Sequence, residues 1–131
     1  MRILLADHHA SPLWALKTML VEEPEFDVTG EAADGNCLLD LTEKNRPDLI
    51  LMDRGLPGKP LENLIASLHL IIPELVVIVM SSDPGDGRSA LRAGADAFVS
   101  KGDQPDWLLA SLRKYIKPTQ KKKDEGTIQN Q

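Results

Sequence analysis

The sequence predicts one α/β domain, with a parallel five-stranded sheet and helices on both of its faces. Three observations lead there. Five short apolar runs alternate with stretches whose apolar residues recur at helical spacing. The runs are mostly continuous rather than alternating, as strands covered on both faces are. Four of them end in polar side chains, at the edge where open α/β sheets carry their chemistry. At 131 residues the chain can build one substantial core.

Each element has its own signal. Arg2 to Ala6 reads as the first strand, followed by Asp7, His8 and His9. Ser11-Pro12 is a helix start, with Ser as cap and Pro at the first helical position. Leu13, Leu16 and Leu20 then share one face as far as about Glu23, and Pro24 stops the helix. Phe26 to Glu31 is the second strand, and Ala32 to Gly35 a turn. Leu38, Leu39 and Leu41 belong to the second helix, which Arg46-Pro47 ends. Asp48 to Asp53 is the third strand, ending in a carboxylate. After Pro57-Gly58-Lys59-Pro60 a third helix turns Leu61, Leu64, Ile65 and Leu68 inward, and Pro73 closes its exit. Leu75 to Met80 is charge-free and rich in β-branched residues, a fourth strand with Ser81-Ser82 at its end. Asp83 to Gly87 is expected as a mobile loop. A short helix runs from Arg88 to Ala93, with Gly94 as its C-cap. Ala97 to Ser100 is the fifth strand, with Lys101 at its end. Pro105 opens a last helix with Leu108, Leu109, Leu112 and Ile116 inward, and Pro118 ends it. The domain is thus expected over residues 1–117, with a polar basic tail from 118 to 131.

Composition narrows the function. Aromatic residues make up 4%, too few for a platform that stacks single-stranded bases. The net charge is -5, but Arg113 to Gln131 holds six Lys/Arg against two Asp/Glu, leaving -9 on residues 1 to 112. A body so acidic is not expected to bind nucleic acid by charge. The single cysteine, Cys37, suits a reducing cytoplasm. Neither a basic-then-apolar leader nor an apolar run long enough for a bilayer is present, so no membrane role is expected.

Parallel βα units bring the strand ends together, so Asp7, Asp53, Ser81 and Lys101 should share one edge. Singly, such residues are commonly turn or solvated groups. Together they form a set for phosphoryl transfer. A carboxylate can be the nucleophile, a lysine and a hydroxyl can meet the phosphoryl oxygens, and two aspartates can hold a hard divalent cation.

These residues also resemble a known family. Ile3 to His9 (ILLADHH), Pro47 to Asp53 (PDLILMD), Leu56-Pro57-Gly58, Val77 to Ser81 (VIVMS) and Ala90 to Lys101 (ALRAGADAFVSK) look like the response-regulator receiver domain. The variety is that of the nitrate-response and LuxR-type transcription regulators. The resemblance runs from Arg2 to about Lys117. It implies a flavodoxin-like sheet in the order 2-1-3-4-5 and a signalling role rather than an enzyme's. It implies that Asp53 accepts a phosphoryl group from a sensor histidine kinase or a small phosphodonor, with Mg²⁺ held by Asp7, Asp53 and the Gly55 backbone carbonyl. Lys101 becomes the phosphate partner, Ser81 the switch hydroxyl and Phe98 the switch aromatic. It also implies a homodimer, through the first and last helices or through the fourth helix and fifth strand.

The sequence departs from the pattern in places. His8 stands where the family has a second acid, and an imidazole suits Zn²⁺, Cu²⁺ or Ni²⁺ better than Mg²⁺. Weak Mg²⁺ binding and a transition ion held through His8 are therefore expected. Gly55 keeps the carbonyl but has no side chain, and Pro60-Leu61 replaces a common Asp-Gly pair. No helix-turn-helix domain is expected within residues 1–131, so DNA contact would need one beyond Gln131, and the tail resembles the start of a linker. Two other readings stand beside the first. One is a pseudo-receiver that binds partners without phosphorylation. The other, remote, is a cobalamin-type cofactor domain, whose Asp-x-His-x-x-Gly pattern Asp7 to Pro12 approaches without the glycine.

Overall fold

Leu49, Ile50, Leu51 and Met52 are wholly buried, because the strand they form lies at the middle of a sheet covered on both sides. The computed structural model describes residues 1–102 and 105–116. In chain order these give β1 (Arg2–Ala6), α1 (Ala10–Val21), β2 (Asp27–Ala32), α2 (Gly35–Asn45), β3 (Leu49–Asp53), α3 (Leu61–Ile71), β4 (Val76–Ser81), α4 (Gly87–Arg92), β5 (Ala97–Ser100) and α5 (Pro105–Arg113). A single 3₁₀ turn, Pro84–Asp86, leads into α4. The sheet order is β2-β1-β3-β4-β5, and every pairing is parallel.

Alternation along each strand divides the core in two. Leu4, Ala6, Ile50, Met52, Val77 and Val79 point to one face, where Leu38 of α2, Leu64, Ile65 and Leu68 of α3 and Ala90 of α4 cover them. Ile3, Leu5, Leu49, Leu51, Ile78, Met80 and Val99 point to the other, beneath Leu20 of α1 and Leu108, Leu109 and Leu112 of α5. Full burial of one such side chain is worth about 1.5–3 kcal/mol, so these layers supply most of the drive to fold.

Several boundaries differ from the expected ones. α1 begins at Ala10 with His9 in extended backbone as its cap, two residues ahead of the cap expected at Ser11. The Leu13 side chain lies outside the described residues. β2 starts at Asp27 and takes in Ala32, while Phe26 packs into the core just before it. Against it β1 shifts register between Ile3 and Leu4, passing over Thr29, whose carbonyl accepts from Asn45 Nδ2 at 2.9 Å. Asp34 caps α2, accepting from the Cys37 backbone N–H at 2.8 Å. β4 extends one residue further than expected, so Ser81 is its last residue. The expected loop at 83–87 is a structured turn, with the Asp83 side chain accepting from Gly85 N–H at 2.9 Å. Gly94, at φ +110°, ends α4 as expected. α5 stops at Arg113, but Ile116 still packs against the core. The expected tail, 118–131, lies outside the described residues. Both tryptophans, Trp14 on α1 and Trp107 on α5, stand largely in solvent, at 69% and 59% exposure. Among the described residues no helix is long and apolar enough to cross a membrane.

Candidate functional site

Backbone pairing pins each strand end. Asp7 N–H donates to Ala32 O, Arg54 N–H to Met80 O and Lys101 N–H to Ser81 O, at 2.8 to 3.0 Å. The side chains delivered there meet in one open cleft, which His8, His9, Asp53, Gly55, Ser81, Asp86 and Lys101 help to line.

Lys101 is the hub. Its Nζ lies 2.6 Å from Asp53 Oδ1 and 2.8 Å from Asp7 Oδ2. Both carboxylates are buried, so one ammonium serves two desolvated anions. Burial alone would lower the Lys101 pKa; its bonds to Asp53 and Asp7 outweigh that and raise it above the ordinary amine value. Burial would likewise raise the pKa of Asp7, but Lys101 and the His9 backbone N–H hold it below the usual carboxylate range. The second oxygens are also partnered. Asp53 Oδ2 accepts from Gly55 N–H at 2.9 Å. Asp7 Oδ1 accepts from His9 N–H at 2.9 Å, with His9 Nδ1 3.1 Å away.

The sequence-predicted residues do not all join this triad. His8 is exposed at the rim with its ring tilted against that of His9. One ligating atom each from Asp7, His8, His9 and Asp53 fall within 4.8 Å of one another, a mixed carboxylate and imidazole set. Gly55 passes close to the acceptor carboxylate: a Cβ there would crowd Asp53 Oδ2 at 3.1 Å. Ser81 lines the cleft, but its hydroxyl donates to Asp86 Oδ2 at 2.6 Å rather than to the triad. Phe98 is half-buried under the start of α4, where a Cβ on Gly87 would lie 3.2 Å from its ring.

Arg54 and Asp86 also line the cleft, and sequence reasoning gave neither a role. Arg54 simply follows the third strand in the sequence, and Asp86 falls within the expected 83–87 loop. The Asp-Pro pair at 83–84, a cap followed by a proline at the first helical position, is the signal that could have ordered that loop.

The response regulator receiver domain model matches residues 3–113. The chain belongs to that family. The receiver is 35% identical over 112 residues to the nitrate/nitrite response regulator NarL of Escherichia coli K12, covering 84% of this chain and 52% of that protein. It thus spans about half the length of this curated relative. Among solved structures, the signal receiver domain of NarL from Mycobacterium tuberculosis superposes with a TM-score of 0.78 at 24% identity, covering 86% of this chain and 93% of that one. RcsB from Salmonella enterica serovar Typhimurium, solved on promoter rprA in the presence of the phosphomimetic BeF₃⁻, gives 0.77 at 24% identity, covering 86% and 66%. These likenesses bear out the flavodoxin-like receiver fold in the order 2-1-3-4-5. They do not favour the cofactor-domain reading. Receiver domains as a family bind Mg²⁺, and this receiver carries an acidic cluster at the corresponding edge.

Proposed function

We propose that this receiver takes a phosphoryl group on Asp53, from a sensor histidine kinase or a small donor such as acetyl phosphate, and thereby changes a protein-interaction face. The observation that carries the reading is the Lys101 ammonium bonded to both Asp7 and Asp53 at the carboxyl edge of the sheet. An Asp53 carboxylate oxygen attacks phosphorus. An Asp O–P bond forms, the donor's P–O or P–N bond breaks, and the electron pair leaves on acetate or imidazole. Asp53 gives up its negative charge in the adduct, and Lys101, still anchored by Asp7, is left beside the new phosphoryl oxygens. Ser81 is the hydroxyl that turns to them. Phe98 then repacks beneath α4, and the α4–β5 face changes as a population shift.

Asp7, Asp53 and the Gly55 carbonyl are hard oxygen donors and fit Mg²⁺, which when bound neutralises charge on the phosphoryl oxygens. His8 and His9 beside them fit a borderline ion better, which supports a second reading of the metal: Zn²⁺, Cu²⁺ or Ni²⁺ held in part through His8. Calorimetry with Zn²⁺ against Mg²⁺ decides between the two.

In this reading residues 1–117 are the receiver and 118–131 the start of a linker. DNA contact belongs to a helix-turn-helix domain outside this sequence, and a homodimer forms through α1 and α5 or through α4 and β5. The test of the whole is Phos-tag electrophoresis after acetyl phosphate and Mg²⁺. Wild type should shift and Asp53→Asn should not. An unmodified wild type, under conditions that label an ordinary receiver, would end the proposal.

A further inference from the structure

The Ser81 hydroxyl has one proton and can donate it to one acceptor at a time. Here the proton goes to Asp86 Oδ2, at 2.6 Å, while the hydroxyl oxygen accepts from Asp83 N–H at 3.1 Å. A hydrogen bond to a carboxylate is about twice as strong as a neutral one. Asp86 therefore competes directly with any phosphoryl oxygen on Asp53 for the same proton. Asp86 is itself held from behind. Its Oδ1 lies 3.9 Å from Nε of Arg54, the residue next to Asp53. Arg54 Nε donates to Ser89 Oγ at 3.3 Å, and Ser89 Oγ donates to the Asp86 carbonyl at 2.9 Å. Asp86 also immediately precedes Gly87, the α4 residue packed on the Phe98 ring.

We propose that Asp86 is a positioning residue that holds the Ser81 hydroxyl away from the phosphoryl site, and that Arg54 keeps the Asp86 charge paired when the hydroxyl leaves. The inference rests on Asp53 being the acceptor. It adds an opposing partner that sets how far the unmodified state is favoured, and it ties that partner to the first turn of α4. Because Arg54 stays with Asp86, release of Ser81 strands no lone charge. The switch is then a choice between two anionic acceptors for one proton.

The test uses BeF₃⁻ as the phosphoryl stand-in, with Mg²⁺, on the full chain followed by ¹⁹F NMR. Asp86→Ala should bind it about tenfold more tightly than wild type, on the scale of one charge-assisted hydrogen bond, with Asp86→Asn in between. In a Ser81→Ala background the Asp86→Ala gain should vanish, since no hydroxyl remains to release. An undiminished gain there would assign the effect to charge repulsion and overturn the proposal, as would Asp86→Ala binding no tighter than wild type. A second measurement needs no phosphoryl chemistry: the Ser81 χ1 populations from NMR couplings, without BeF₃⁻. One rotamer should dominate in wild type, and a second should fill in Asp86→Ala. If wild type takes up no BeF₃⁻, the acceptor reading fails and the Ser81 rotamers alone decide. Unchanged populations in Asp86→Ala overturn the latch.

Discussion

Lys101→Met keeps the apolar stem and deletes the charge, so it isolates what the ammonium does. Two bonds go, at 2.6 Å to Asp53 and 2.8 Å to Asp7. What remains is two buried carboxylates with ligating oxygens within 4.8 Å of each other. At that separation, with an effective dielectric near 20, their repulsion is about 3 kcal/mol. Proton uptake by one carboxyl caps the cost. The loss in unfolding free energy at pH 8 is therefore expected at about 3 kcal/mol, equivalent to a fall in Tm of about 10 °C. The sign with pH follows from the two folded states. In wild type, Asp7 is held below its usual value, so its contribution is present above the ordinary carboxylate pKa and fades as pH falls through the folded one. In the variant, a carboxyl is pushed above its usual value, so stability there fades as pH rises instead. The gap between the proteins should open with rising pH from about 4 upward, at up to about 1.4 kcal/mol per unit for one proton. Urea unfolding at pH 5, 6.5 and 8, in EDTA so that no cation replaces the ammonium, reads it out. Equal stabilities at pH 8, or a loss that does not vary with pH, would refute the reasoning.

Other outcomes follow from the same geometry. His8→Asp should strengthen Mg²⁺ binding roughly tenfold by calorimetry and weaken Zn²⁺ binding, on the scale of changes near a metal site. Lys101 has its pKa raised, so its contribution to stability is full below the ordinary amine pKa and is lost as pH climbs through the folded value. Wild type should accordingly hold the Lys101 proton beyond the pH at which exposed lysines titrate, as followed by NMR at Nζ. Gly94→Ala should cost about 1–2 kcal/mol in urea unfolding, because φ there is +110° and the new Cβ would sit 3.2 Å from Ile65 Cγ2. Asp34→Ala should cost about 1 kcal/mol through the lost α2 cap.

The strand–helix order and the meeting of Asp7, Asp53, Ser81 and Lys101 at one edge were legible because period and crossover handedness leave few arrangements open. A parallel strand delivers its last residue to the same edge whatever its neighbours do. Which partner each group would choose was not legible. Ser81 bonds Asp86 because the turn at Pro84–Asp86 folds the loop back by five residues, a geometry that Gly and Pro permit without dictating. The start of α1 moved for a similar reason. His9 is fixed by its own N–H to Asp7 Oδ1, a contact between neighbours that displaced the cap expected at Ser11.

The placement of the two tryptophans has a practical consequence. With Trp14 at 69% and Trp107 at 59% exposure, and none in either core layer, the intrinsic emission of the folded receiver should already sit near that of water-bathed indole. Unfolding will change it little, so circular dichroism is the better monitor for the experiments above. The same placement makes the two indoles natural reporters of the outer sides of α1 and α5. A shift of the emission to the blue on adding a second protein would mean that one of those two helices has been covered.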